Sequence, residues 1–334
     1  MTRTHDLLIT NQLHYRLCYT SGLKYYTTNV FFCQEKNYIK GKTMKLTSLN
    51  EVKDIMERHG LRFNKGYGQN FLINEAVPRR IAEECGADSD SGILEIGPGI
   101  GTLSYELSSR YKKVVAIEID TTLIPALAET MAEFDNFKVI NADVLKVDLP
   151  SLIKEEFGDM PVTVCANLPY YITTPIIMGL LESGCNFDNI TVMIQKEVAL
   201  RLCAKAGDGD YGAVTASVNR YGSVSRLFNV SAGSFVPAPK VDSAVIRIKV
   251  DKERKYSVTD EKIMTRVIRG AFAQRRKTLV NSLSSEFSEL NKDELTEAVV
   301  NSGYRADIRG EKLDIPDFAK LSDTITETIK AKKG

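Results

Sequence analysis

The sequence predicts an α/β protein, a doubly wound parallel sheet followed by a small all-helical domain. Three observations carry this. From residue 93 to about 195, apolar strand-like runs (ILEIG, VVAIEI, FKVIN, VTVCAN, ITVMI) alternate with helix-like stretches such as TTLIPALAETMAEF and TTPIIMGLLESG. That alternation requires parallel strands joined by right-handed crossovers. Glycines 97, 99 and 101 stand at the turn that joins the first of these strands to a helix. From about residue 257 onward only the helical period remains, in DEKIMTRVIRGAFAQRRKTLVNSL and NKDELTEAVVNSGY.

The elements follow in order. Residues 1–43 carry six Lys/Arg against two acids, many aromatics and no clear helical period. They read either as a basic arm or as an extension ahead of the true start at Met44, where MKLTSLNEVKDIMERHG opens a capped amphipathic helix. The latter is the expectation here. After the alternating region, SRLFNVSAGSFVPAPKVDSAVIRIKV reads as two strands joined by a Pro-rich loop, an antiparallel addition to the sheet. The expected boundaries are an extension at 1–43, a sheet domain at 44–250 and a helical domain at 251–334.

Composition excludes several classes of function. The chain has 334 residues, 26% charged and 43% hydrophobic, with a formal net charge of +1. Attraction to a polyanion must therefore come from local basic patches. No stretch is long and apolar enough for a membrane span, and the N-terminus lacks the apolar core of a signal peptide. The six cysteines (18, 33, 85, 165, 185, 203) form no CxxC pair, which argues against zinc or a disulfide framework and suits a cytoplasmic protein. Histidines occur only at 5, 14 and 59. Chemistry needing a histidine base or a His-ligated metal is disfavoured, and no metal is expected.

The glycine turn opens a helix with GPGIGTLSYELSSR, which lets backbone approach a ligand closely. A pyrophosphate site would call for G-x-G-x-x-G. Here Glu95 sits two residues before Gly97, where an acid repels a diphosphate and welcomes a cation. The next strand ends at Glu118, the position from which a carboxylate holds two ribose hydroxyls. The third ends in VINAD, placing Asp143 within reach of an adenine amine. Each acid alone reads equally well as a solvated strand end. Together they describe a pocket for a cationic, phosphate-free adenosine derivative. S-adenosylmethionine fits it, and NAD fits poorly.

The fourth strand ends at Asn167, in VTVCANLPYYITTP. Taken alone, Asn167-Leu168-Pro169-Tyr170 is only a strand stop, since proline cannot sit within a central strand. Beside the expected cofactor it acquires a chemical reading. An exocyclic adenine amine is a poor nucleophile because its lone pair is delocalised into the ring. The Asn167 amide oxygen and the Leu168 carbonyl, both accepting from that amine, draw the nitrogen toward tetrahedral geometry. Pro169 fixes the carbonyl direction, and Tyr170 can stack on the extruded base.

On these residues the chain resembles the ribosomal RNA adenine dimethyltransferases, specifically the bacterial KsgA (RsmA) type. The motifs are GYGQNFL at 66–72, LEIGPGIGTL at 94–103, EID at 118–120, NADVL at 141–145, NLPYYITTP at 167–175 and FVPAPKVDSAV at 235–245. The resemblance covers roughly residues 50–315 and implies a Rossmann-like class I S-adenosylmethionine-dependent methyltransferase sheet. It implies that Asn70, Leu72, Gly97, Glu118, Asp143 and Asn167 contact S-adenosylmethionine. Phe235, by itself more simply a core residue, would by the resemblance cover the target base opposite Tyr170. Residues 1–43 have no counterpart in the family.

Relatives act on different RNAs. Erm enzymes modify large-subunit rRNA, while the KsgA type dimethylates two adjacent adenosines in a hairpin near the 3′ end of small-subunit (16S) rRNA. GAFAQRRKTLVNSL at 270–283 and YRADIRGEKLDIPDF at 304–318 resemble the KsgA type. Lys262, Arg266 and Arg269 share one helical face, and Arg275, Arg276 and Lys277 follow, with no acid from 262 to 277. The run is either a solvated face or a phosphate contact, and the second reading is adopted. The expected partner is rRNA in an assembling small ribosomal subunit, bound by a monomer. Two alternatives stay open, an Erm-type enzyme and a non-catalytic assembly chaperone. Removing residues 1–43 is expected to leave the melting temperature unchanged; a clear fall would show that the extension packs on the domain.

Overall fold

A computed structural model of the chain describes residues 45–62 and 69–333, together with the backbone of a short antiparallel pair, Cys18–Thr20 with Leu23–Tyr25. The expectation for residues 1–43 as an extension, and the first half of the GYGQNFL motif, lie outside the described residues. By the contacts it makes, the chain forms two compact units. One runs to Cys185 and includes Ser231–Lys240; the other comprises Asn186–Val230 and Val241–Gly334.

In the first unit, helix α1 (Leu49–Arg58) precedes α2 (Ala76–Glu83), and four strands follow. These are β1 (Gly92–Ile96), β2 (Lys113–Glu118), β3 (Phe137–Asn141) and β4 (Val162–Asn167), hydrogen-bonded in the order β3-β2-β1-β4. The pairings β3-β2, β2-β1 and β1-β4 are all parallel. Every residue of β1 is buried, as a strand covered on both faces requires. Helices α3 (Thr102–Ser108), α4 (Ile124–Thr130), α5 (Leu149–Phe157) and α6 (Thr173–Glu182) supply the crossovers and the last covering helix. Helix α5 opens with Asp148, whose carboxylate accepts from the Ser151 N–H, and with Pro150 in its first turn. Helix α1 begins after Ser48 within the expected stretch, but the expected cap is absent, since the Ser48 side chain makes no capping bond. Its attachment is apolar, through Val52, Ile55 and Met56 packed with Phe71, Ile100 and Leu123. Each such buried aliphatic side chain contributes about 1.5–3 kcal/mol.

The second unit contains β5 (Phe187–Gln195), α7 (Lys196–Leu202), α8 (Ala213–Asn219), β6 (Gly222–Val230) and β7 (Ser243–Val250). Strand β7 lies antiparallel between β5 and β6, so the expected antiparallel pair around the Pro-rich loop is present. The loop itself belongs to the first unit, where Phe235–Val236 pairs antiparallel with Phe71–Leu72. Helices α9 (Glu261–Ala273), α10 (Leu279–Leu283), α11 (Lys292–Asn301) and α12 (Ile315–Lys333) complete the unit around Val267, Leu283, Phe287, Leu295, Phe318 and Leu321.

The helical stretch DEKIMTRVIRGAFAQRRKTLVNSL forms two helices, α9 and α10, with a break after Ala273. Gln274 leaves helical geometry at φ −135°, and its N–H donates to Ser282 Oγ at 3.0 Å. Ser282 Oγ in turn donates to the Gly270 carbonyl at 2.5 Å. That one hydroxyl ties α9 to α10, so Arg275, Arg276 and Lys277 are extruded into an exposed turn.

Candidate active site

A cavity in the first unit is lined by the carboxyl ends of all four parallel strands and by residues 69–72. Parallel α/β sheets place ligands at this edge because the strand-to-helix loops diverge there. Asn70, Leu72, Gly97, Glu118, Asp143, Asn167, Leu168, Pro169 and Tyr170 all line it. Phe235 does not; it is 3% exposed, and its backbone pairs with Leu72. Ile119, 45% exposed, and Val144 also line the wall and were not singled out from the sequence. The available signal was position, since each directly follows a strand-end acid.

The glycine turn is a backbone necessity. Gly97, Gly99 and Gly101 have φ of +68°, +61° and +90°, conformations that side-chain-bearing residues adopt at a cost. A Cβ on Gly99 would stand 3.2 Å from the Phe71 ring. A Cβ on Gly97 would meet nothing within 4 Å, so the backbone there faces open space.

Glu118 is 4% exposed. Its two oxygens accept from backbone N–H groups, Oε1 from Asp120 at 2.8 Å and Oε2 from Gly99 at 3.2 Å. Burial pushes its carboxyl up to about 7 against the pull of those two N–H donors. Asp143 is half-buried, accepts from the Leu145 N–H at 3.1 Å and lies 3.3 Å from Lys146 Nζ. Asn167 donates through Nδ2 to the Asn70 carbonyl at 3.4 Å, which leaves Oδ1 as the amide end available to a donor. The Pro169 carbonyl accepts from the Ile172 N–H at 3.2 Å and Thr173 Oγ1 at 3.1 Å, locking the turn into α6.

Glu95 is the most unusual group. It is 1% exposed, and its Oε2 has no hydrogen-bond partner. Burial pushes its carboxyl from 4.5 up to about 8; the nearby Ser104 hydroxyl tempers the shift without meeting hydrogen-bond geometry, and the Glu118 charge adds to it. A buried carboxylate oxygen without a donor, on the wall of a cavity already holding Glu118 and Asp143, fits a ligand that brings positive charge. Among the described residues, no group of three or more His, Cys, Asp or Glu side chains is placed to hold a metal, and no helix is long and apolar enough to cross a membrane.

The basic run lies in the second unit, and the structure alters its reading. Ile263 and Val267 on the same helix are buried. Arg266 forks onto Glu289 at 2.7 and 3.1 Å, gives Nη2 to the Glu286 carbonyl at 2.5 Å, and stacks 4.2 Å above the Phe287 ring. Arg269 pairs with Glu286, whose carboxyl its guanidinium holds below the usual range. Arg266 and Arg269 thus clamp α9 to the 286–289 turn, and two acids answer their charge. Lys262 is exposed on the same helix. Arg275 donates to the Gly209 carbonyl at 2.6 Å, while Arg276 and Lys277 are exposed.

The β3-β2-β1-β4 order, the positive-φ glycine turn and the strand-end acids define a Rossmann-like S-adenosylmethionine-dependent methyltransferase. The family described as ribosomal RNA adenine dimethylase matches residues 60–324, and the chain belongs to that family. It is 46% identical over 280 residues to a Lachnoclostridium phytofermentans protein named ribosomal RNA small subunit methyltransferase A, covering 83% of this chain and 96% of that one. A protein of the same name from Geobacillus thermodenitrificans is 45% identical over 277 residues, covering 82% and 94%. Among solved structures, a dimethyladenosine transferase from Plasmodium falciparum superposes with a TM-score of 0.65 at 26% identity, covering 77% of this chain and 98% of that one. The 23S rRNA methyltransferase ErmE gives 0.59 at 25% identity, covering 77% and 100%.

Glu95 makes ligand-free stability depend on pH. Its folded-state value is raised, so the stability it contributes is fully present below pH 4.5 and is lost as pH rises through about 8. Glu95→Gln removes that titration. Its melting temperature should exceed that of the unsubstituted protein at about pH 9, with the gap closing toward acid. A pH-independent gap in paired thermal melts would show that Glu95 is ionised in the fold.

Proposed function

We propose that this protein dimethylates the N6 amines of two adjacent adenosines in a hairpin near the 3′ end of small-subunit (16S) rRNA, using S-adenosylmethionine, during assembly of the small ribosomal subunit in the cytoplasm. The observation that carries the reading is the Asn167-Leu168-Pro169-Tyr170 turn sharing one cavity with Glu118 and Asp143, in a chain of the rRNA adenine dimethylase family.

The cofactor fits the residues present. The orphaned Glu95 Oε2 suits its net positive charge, and the Gly97 backbone leaves room beside it. Glu118, held by two N–H donors, keeps both oxygens oriented to accept from ribose hydroxyls. Asp143 accepts from the adenine amine, and Asn70 and Leu72 close the wall beside the methionine and adenosine parts. When bound, S-adenosylmethionine supplies a methyl group on a positively charged sulfur.

The chain's own residues prepare the nucleophile. Asn167 Oδ1 and the Leu168 carbonyl accept the two N–H groups of the target amine and draw its lone pair out of conjugation. Those bonds strengthen as the nitrogen becomes tetrahedral and positive, so they favour the transition state over the ground state. Tyr170 stacks on the extruded base, and Phe235 supports the wall by pairing with Leu72. No strong base is needed, because the proton leaves after methyl transfer. In the second unit, Lys262, Arg275, Arg276 and Lys277 meet rRNA phosphates, while Arg266 and Arg269 hold α9 in place for them.

Asn167→Ala should lower the single-turnover methyl-transfer rate at least about a hundredfold, as loss of one transition-state hydrogen bond does; a near-normal rate would remove Asn167 from the chemistry. Arg276→Glu with Lys277→Glu should weaken binding to immature small subunits. It should also reduce the salt dependence of binding by about one slope unit per lost phosphate contact, leaving cofactor affinity unchanged. An unaltered salt slope would mean that the exposed turn is only solvated.

A further inference from the structure

Residues 69–72 line one wall of the cavity, and the chain from Gln69 to Ile73 is held in four places. Gln69 Nε2 donates to Asp120 Oδ2 at 2.7 Å. The Asn70 carbonyl accepts from Asn167 Nδ2 at 3.4 Å. The Phe71 ring packs against Gly99, 3.2 Å from where a Cβ would stand. Leu72 pairs with Phe235, and the Ile73 N–H donates to the Ser234 carbonyl at 2.8 Å. One short strap therefore touches the ribose-side turn, the glycine turn, the reactive amide and the aromatic hairpin.

Asp120 makes the first of these contacts consequential. It is 6% exposed, and its carboxylate is met by Gln69 Nε2, by the Thr122 N–H at 3.0 Å and by Thr122 Oγ1 at 2.6 Å. Its own N–H donates to Glu118 Oε1. A continuous hydrogen-bonded path thus runs from the Gly99 N–H through Glu118 and Asp120 to Gln69. One peptide bond further, it continues from the Asn70 carbonyl to Asn167. The two ends of an amide are nearly the same shape, so only the partner of the NH₂ group decides which end faces a substrate. An Asn70 carbonyl displaced by an unanchored strap lets Asn167 present N–H donors to an amine that itself donates.

We propose that Gln69 is a positioning residue: by anchoring the strap to Asp120 it fixes the Asn70 carbonyl that orients the Asn167 amide, holding the ribose-side turn and the reactive amide as one unit. This rests on the reading of Asn167 as an acceptor for the target amine.

Two substitutions test it. Gln69→Leu removes the anchor and should lower kcat at saturating cofactor at least about tenfold, the scale of a small misplacement of reacting groups. The KM for rRNA should not change. In the ligand-free protein, hydrogen exchange at the Phe71 and Leu72 N–H groups should accelerate. Gln69→Glu keeps the shape but sets two carboxylates face to face. Its rate relative to the unsubstituted protein should rise as pH falls from about 8 to 5, because one shared proton restores a hydrogen bond. A purely structural role would not produce that profile. Unchanged kcat and exchange in Gln69→Leu, or a pH-independent ratio for Gln69→Glu, overturns the proposal. Absence of transfer by the unsubstituted protein would sink the functional reading and this inference with it, and that control tells the two failures apart.

Discussion

Four carboxyl groups, Glu95, Glu118, Asp120 and Asp143, gather at the carboxyl edge of one parallel sheet, and the first three are buried. Removing a carboxylate from water costs several kcal/mol unless donors or cations replace the lost hydration. The protein answers this in graded fashion. Asp120 receives three donors and Glu118 two backbone N–H groups, while Glu95 Oε2 receives none. The glycine turn, the strap at residues 69–74 and the short loops after β2 and β3 supply these donors or leave room for a charged ligand. Burial holds the Glu95 and Glu118 carboxyls at about 8 and about 7, so a ligand bringing positive charge would favour their ionised forms, whereas a diphosphate would oppose them.

Rigidity at the reactive end follows from the same arrangement. Asn167 has one polar tie, to the Asn70 carbonyl, and its Pro169 neighbour is locked by two hydrogen bonds into the start of α6. The Asn167 amide and Leu168 therefore stand on a turn braced from both sides.

Much of this was legible in the residues. The parallel strands are short apolar runs, and Glu118, Asp143 and Asn167 stand where three of them end, so the residues alone put them on one edge of the sheet. Contacts between segments far apart in sequence could not. The partners of Arg266 and Arg269, Glu286 and Glu289, follow some twenty residues later across a break in the helix. That break is spanned by the Ser282 hydroxyl, which accepts from the Gln274 N–H and donates to the Gly270 carbonyl across a sequence of continuous helical period. Gln69 reaching Asp120 has no local signature. Phe235 followed its composition, since an aromatic in a two-residue strand is buried by its neighbours, and it supports the cavity wall from behind. Ile119 and Val144 are marked in the sequence only by their place after a strand-end acid, since an apolar side chain carries no charge signal of its own.

The most direct measurement incubates the purified protein with isotopically labelled S-adenosylmethionine and immature ribosomal particles, then maps the label in rRNA by mass spectrometry. Dimethyladenosine is expected at two adjacent positions near the 3′ end of the small-subunit rRNA and none in large-subunit rRNA. Label confined to large-subunit rRNA, or no transfer from a cofactor that demonstrably binds, would contradict it.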